Sequence, residues 1–286
     1  MSEIQKLLDA DNTNAKECAR LFQNYSPELS QALEDAGHFY EILFRVLNKK
    51  FRDDDDQYTI DSEDKTKNFK KWESAKNRIW SRRARATLFL SGYRSYMWAV
   101  TDIYRTRVTS SMNHLRQQIE AVFYMNLILN KPSVGEEWFY AGDEKGKKFF
   151  RKYSFELGEF LDNYKLASTY NRISGAASHT RLSSLIYGLN IDSTKKEDRY
   201  TDIYTLSLHE VNQDRPEQLI LSVLAFLKDQ ISIFDALLSA LPEFDDPLLR
   251  ETRLPFFENK ISQLFTIFQK KFPSMAKEIK IWKNVL

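Results

Sequence analysis

Apolar residues recur three or four positions apart along most of this chain, and few breaks interrupt them. From Ser26-Pro27-Glu28 to about Lys50, the residues Leu29, Leu33, Phe39, Ile42, Leu43 and Val46 keep close to helical spacing. Ser26 is placed to cap that helix and Pro27 to occupy its first turn. From Lys65 to about Arg107 the recurring positions are Phe69, Trp72, Ile79, Trp80 and Leu88, with Gly92 as a candidate bend. A further helix is predicted over Val108–Leu129, ending before Lys131-Pro132 because a residue ahead of proline disfavours the helical region. Residues 133–162 read as short helices broken by Gly135, Gly142, Gly146 and Gly158. Another helix follows from about Asn163 to Leu185.

The period then changes. Leu185, Tyr187, Leu189 and Ile191 alternate with smaller or polar residues, as do Tyr204, Leu206 and Leu208. Alternation of this kind predicts strands, and the polar STKKEDRYT between them predicts the loop of a small β-hairpin near 185–210. Asp214 and Glu217 form a capping-box start for a helix ending near Pro242, apolar on most sides and therefore central and buried. From Pro255 the pattern gives two amphipathic helices split at Pro273. The expected fold class is all-α, a bundle of long antiparallel helices with one small hairpin. Its divisions are 1–64 (N-terminal helices and an acidic connection), 65–242 (main bundle with the hairpin) and 243–286 (a C-terminal helical pair), together forming one compact unit.

Composition narrows the class. With 286 residues, 42% hydrophobic and 29% charged, the chain can bury a sizeable core and is not disordered. Only 8 Gly and 7 Pro leave room for long helices. A net charge of +2 gives no whole-molecule argument for nucleic acid. The single cysteine, Cys18, excludes an intramolecular disulfide and fits a reducing compartment. The N-terminus MSEIQKLLDADN lacks the pattern of a signal peptide, and no apolar stretch approaches the ~20 residues of a membrane span. A cytoplasmic protein that does not engage a membrane is expected.

The usual catalytic signatures are missing. There is no Cys pair, no HExxH, and no Glu three residues before any of the 4 histidines, so no metal site is expected. GDEKGKK at 142–148 lacks the spacing and the Ser/Thr of a phosphate loop, and no cofactor is implied. Two polar insertions in apolar helices remain. Arg116 and Glu120 lie one turn apart in HLRQQIEAVFYMNLIL; they form either an ordinary i,i+4 ion pair or the polar wall of a site. In YNRISGAASHTR, Arg172 and His179 bracket Gly-Ala-Ala-Ser, a smooth patch that lets another helix approach. Tyr170, Ser174 and Ser178 line up at i, i+4, i+8 beside it. That stripe can receive the Arg116–Glu120 pair as an interhelical network, or the arginine and histidine can be reactive.

Arg172-x6-His179 on a helix, with Glu120 on a preceding helix, resembles the HEPN superfamily (higher eukaryotes and prokaryotes nucleotide-binding). The resemblance covers residues 114–185 and two short patterns; the six-residue gap is the family's upper limit, and Ile173 stands where a polar residue often follows the arginine. It implies metal-independent RNA cleavage, with His179 moving a proton and Arg172 holding the phosphate. It further implies a dimer that pairs two Arg–His sets, and a place in bacterial defence or conflict systems.

A third feature is the basic run from Lys65 to Arg85, in which Lys70, Lys71, Arg78, Arg82, Arg83 and Arg85 are set among Trp72 and Trp80. It is either an RNA-tracking helix with stacking rings or a solvated face whose tryptophans point inward. The sequence therefore favours a helical binding or regulatory protein whose partner is another protein or a second copy, RNA being a further candidate. The alternative is a HEPN-like RNase using Arg172 and His179 with Glu120 and Arg116.

Overall fold

Helical spacing becomes helix through most of the predicted runs. The computed structural model describes residues 26–54, 69–105, 107–141, 151–177, 189–192, 203–206, 216–241 and 246–273, with isolated positions elsewhere, Phe149 among them. Three long helices come first, α1 (Pro27–Asp54), α2 (Phe69–Tyr104) and α3 (Val108–Asn130). Shorter ones follow: α4 (Val134–Phe139), α5 (Ser154–Asn163) and α6 (Ala167–Ala177). The long α7 (Pro216–Ala240) precedes a π-helical segment, Leu248–Arg253, that runs directly into α8 (Leu254–Lys271). The fold class is all-α. Most of the stretch expected to form a hairpin, and the GDEKGKK segment, lie outside the described residues.

Two expectations, at Ser26 and before Pro255, change at the level of single residues. Ser26 stands at the head of α1, and its carbonyl accepts from the Leu29 and Ser30 amides, but its hydroxyl makes no capping bond. Helix α2 runs unbroken through Gly92, where a Cβ would meet Ala121 Cβ at 3.6 Å; the helix range does not test the expected bend. The last helical stretch begins at Leu248, well before Pro255, and Asp246 Oδ1 accepts from the Leu248 amide at 2.9 Å.

Side-chain bonds fix the helix directions. From Ser81 to the Ile128 carbonyl, Ser95 to Gln117 and Ser110 to Asp102, residue numbers rise on α2 as they fall on α3. The two helices therefore run antiparallel through the short link 105–107. Tyr96 with Leu33 and Arg82 with Lys50 set α1 antiparallel to α2 in the same way. Arg250 with Leu238 and Phe257 with Phe234 do so for α7 and the continuous π segment and α8.

Helix α3 touches α2, α4, α5, α6 and α7, so its apolar positions are enclosed on several sides; Ile119, Met125 and Ile128 are fully buried. In α7 every residue from Val223 to Leu227 is buried, as its all-round apolar pattern requires. Each such Leu, Ile or Phe contributes about 1.5–3 kcal/mol. Where α1, α2 and α7 meet, Tyr40 packs against Tyr93, Tyr96 and Phe234 at ring distances of 5.4, 5.0 and 5.0 Å. Burial pushes the Tyr40 and Tyr96 hydroxyls well above their ordinary range, so both remain protonated donors. One core cluster joins α1, α2, α3, α7 and α8. No helix among the described residues is long and apolar enough to cross a membrane.

Candidate functional site

The polar residues singled out in the sequence are brought together where α6 crosses α3 and α7. Arg116 Nε donates to Glu120 Oε1 at 2.8 Å along α3, and the Tyr170 hydroxyl donates to the same oxygen at 2.8 Å from α6. The Arg116 guanidinium lies 5.3 Å from the centre of the Tyr170 ring. Burial opposes charge on Arg116, but the hydrogen bond and charge of Glu120 outweigh it and hold the guanidinium above its ordinary value. Burial, and then the Glu120 charge, push the Tyr170 hydroxyl up to about 12. Two donors on one oxygen make Glu120 the shared acceptor of an interhelical network. Its removal leaves a half-buried guanidinium and a half-buried hydroxyl without their acceptor. Glu120→Ala should therefore cost about 1–2 kcal/mol in chemical denaturation, and Glu120→Gln, which keeps an acceptor, should cost less.

Next to Tyr170 on α6, Thr169 donates to Asp229 Oδ1 of α7 at 2.8 Å, and Arg172 Nη2 stands 3.8 Å from Asp229 Oδ2. Asp229 is 4% exposed. Burial pushes its carboxyl up to about 6, against the Thr169 hydrogen bond and the charges of Arg172 and Lys228. Burial likewise lowers the neighbouring Lys228, Asp229 opposing the shift. Gln230 completes a polar break in an otherwise apolar helix. The Tyr40 hydroxyl lies 3.1 Å from Gln118 Oε1 and 3.4 Å from Gln230 Oε1; its single hydrogen serves one of them, and Gln118 is nearer. Lys228, Asp229 and Gln230 were not singled out from the sequence, although three polar side chains inside an all-round apolar helix signal buried partners.

His179, and everything beyond Ala177 in YNRISGAASHTR, lies outside the described residues. Arg172 thus meets Asp229. His114 sits 3.5 Å from Asp102, whose carboxylate also accepts from Ser110. The serine proton is therefore directed at the carboxylate and not at the imidazole, which is the wrong order for an activated nucleophile. No cluster of three or more His, Cys, Asp or Glu able to hold a metal occurs among the described residues.

The basic run divides by exposure. Lys70, Lys71, Arg78 and Arg83 are exposed, and Arg82 is half-buried and donates to the Lys50 carbonyl at 3.4 Å. Arg85 is 8% exposed, so it is not on the surface a nucleic acid could reach. Trp72 and Trp80 are half-buried, with Lys76 and Arg83 over their rings at 5.4 and 5.7 Å. Exposed Phe139 and Tyr140 pack on Trp80 at 5.0 and 5.2 Å. A cleft of about 520 Å³ lies between α1 and the π segment with α8. Asp35, Glu41, Arg45 and Arg253 give it charges of both signs over a Phe39 and Phe257 floor, a mixture that selects no single ligand class.

Comparison of the chain with known protein families, curated proteins and solved structures finds no match.

Proposed function

We propose that this chain is a helical binding or regulatory module in which Arg116, Glu120, Tyr170 and Arg172 hold helices in register and do not cleave a substrate. The observation that carries the reading is Glu120 Oε1, which accepts from both Arg116 and Tyr170 at 2.8 Å. A general base needs a lone pair aimed at the proton it removes; this oxygen is committed to two neighbours. Arg172 leans toward a buried carboxylate in the same sense, which supports a tie between α6 and α7. The ligand class we propose is another protein. The small hairpin near 185–210 belongs to the same proposed architecture, supported by the antiparallel register that sets Leu189 opposite Leu206 and Asp192 opposite Ile203.

The HEPN-like reading, a metal-independent RNase of a bacterial defence system, keeps one observation in its favour: the Arg172 side chain is 36% exposed and within reach of a phosphate. Exposed Lys70, Lys71, Arg78 and Arg83 would then follow the RNA backbone. The two readings separate on labelled single-stranded RNA incubated with the full chain in EDTA. The expected result is intact RNA with the parent chain, and with Arg172→Ala and His179→Ala alike. Cleavage in EDTA that drops ~10²-fold in His179→Ala, with an unchanged melting temperature, would replace the binding reading with the nuclease one.

A further inference from the structure

Beyond Trp80, every exposed residue of α2 falls on one line. Arg83, Thr87, Leu90, Arg94 and Met97 succeed one another at steps of four and three, with Trp98 beside Met97. The rest of this stretch is turned toward the bundle, with Ala84, Leu88, Phe89, Gly92, Tyr96 and Ala99 all buried. Yet the outward line is not a solvated one: Leu90, Met97 and Trp98 are 47, 52 and 53% exposed. Its charge has one sign. From Ser74 to Thr101 the sequence holds Lys76, Arg78, Arg82, Arg83, Arg85 and Arg94 and no Asp or Glu. Among the described residues Arg83 and Arg94 have no acidic partner, Arg83 resting only on the Trp80 ring.

We propose that this line docks one acidic amphipathic helix of a partner protein. Apolar side chains of the partner cover Leu90, Met97 and Trp98, and its carboxylates reach Arg83 and Arg94. Steps of four and three keep residues in register with a second helix over successive turns, which is the geometry of a helix–helix seam. The line is one residue wide and spans about 21 Å at 1.5 Å per residue, the footprint of a single helix of four turns. Methionine at such a seam adapts to the partner's side chains. A second copy of the same line offers no carboxylate to Arg83 or Arg94. Single-stranded RNA needs a succession of free ring faces, whereas Trp98, the aromatic residue on this part, already stacks against His114 at 6.5 Å. The proposal rests on the binding-module reading and names its surface.

The test uses the full chain and fluorescein-labelled synthetic peptides of about four turns, followed by anisotropy. One peptide carries Leu at steps of four and three flanked by Glu; a second has Lys in place of Glu; a third is the scrambled acidic sequence. The acidic peptide should bind saturably at micromolar concentration, on the order of 8 kcal/mol, and the scrambled one should not. Leu90→Asp with Met97→Asp should weaken it about tenfold or more. Arg94→Glu should weaken the acidic peptide and strengthen the lysine one, a reversal that a folding defect does not produce. These residues are exposed, so melting temperatures should stay unchanged. Absence of binding by the acidic peptide, equal binding of the scrambled one, or indifference to Arg94→Glu overturns the proposal. So does preferential capture, on these same residues, of an oligouridine or of phosphatidylserine vesicles. RNA cleavage in the preceding assay would remove the binding-module reading but leave these peptide results intact, so the two failures are distinguishable.

Discussion

Asp229→Asn should stabilise the protein by an amount that grows as the pH rises from about 4 to 7, with the largest gain at the upper end. Asp229 sits 4% exposed on α7, and burial, opposed by Thr169, Arg172 and Lys228, leaves its carboxyl at about 6, against 3.8 for the free group. The folded state thus binds a proton that the unfolded chain has already released. A group raised in this way contributes its stability fully below the unfolded value and loses it as the pH climbs through the folded one. A difference of two pKa units corresponds to roughly 3 kcal/mol. Asparagine keeps an acceptor for Thr169 and carries no charge at any pH. Urea denaturation of both chains across this range should give equal stabilities near pH 4 and an advantage of roughly 3 kcal/mol for the variant above pH 7. Surface carboxylates such as Glu156, held low by its hydrogen bond from Lys131, and Glu137, held low against the effect of burial by Lys152 and Tyr153, act in the opposite direction. They cancel in the comparison. A difference independent of pH would show that Asp229 remains ionised throughout and that the α6–α7 tie is an ordinary ion pair.

The long helices were legible because period and punctuation agree. Val108 and the Lys131-Pro132 break bound α3 within a residue of where the pattern puts them, and Pro216 opens α7. The partnership of Arg116 and Glu120 with Tyr170 was legible too, since i,i+4 spacing sets the pair and a stripe of hydroxyls offers it a neighbour. Asp229 was harder: its partners Thr169 and Arg172 lie some sixty residues away, and no local rule names them. Arg85 shows the converse limit. Charge alone assigned it to the surface with its neighbours, but the helical phase that buries Ala84 and Leu88 carries Arg85 inward with them. The outer line of α2 was hidden for a related reason. That helix bears apolar residues on two faces, so Leu90, Met97 and Trp98 cannot be told from core positions until α1 and α3 occupy the other side. The π segment has a composition, LLRETR, that any α-helix would accept.

The same substitution, glycine to alanine, should have opposite signs at two positions that the sequence treats alike. Gly135 and Gly158 both read as interruptions among the short helices of 133–162. In the structure Gly135 belongs to α4 at its contact with α2, where a Cβ would come within 2.8 Å of Ser81 Cα and N and 2.9 Å of the Trp80 carbonyl carbon. These are backbone atoms and cannot rotate aside. Alanine must therefore lift α4 away from α2 and loosen buried Val134 and the Trp80–Phe139–Tyr140 contacts. Overpacking of this kind costs about 1–3 kcal/mol, and the larger end is expected because the obstruction is main chain. Gly158 lies inside α5 with nothing within 4 Å of where its Cβ would stand. Alanine there meets no neighbour and removes conformational freedom from the unfolded chain, so it should stabilise by about 0.5–1 kcal/mol. Chemical denaturation of the two single variants checks both signs, and tryptophan emission should shift in Gly135→Ala alone because Trp80 is at the disturbed contact. A stable Gly135→Ala variant would mean that α4 does not approach α2 this closely, and with it the aromatic patch of Phe139 and Tyr140 would lose the support of Trp80.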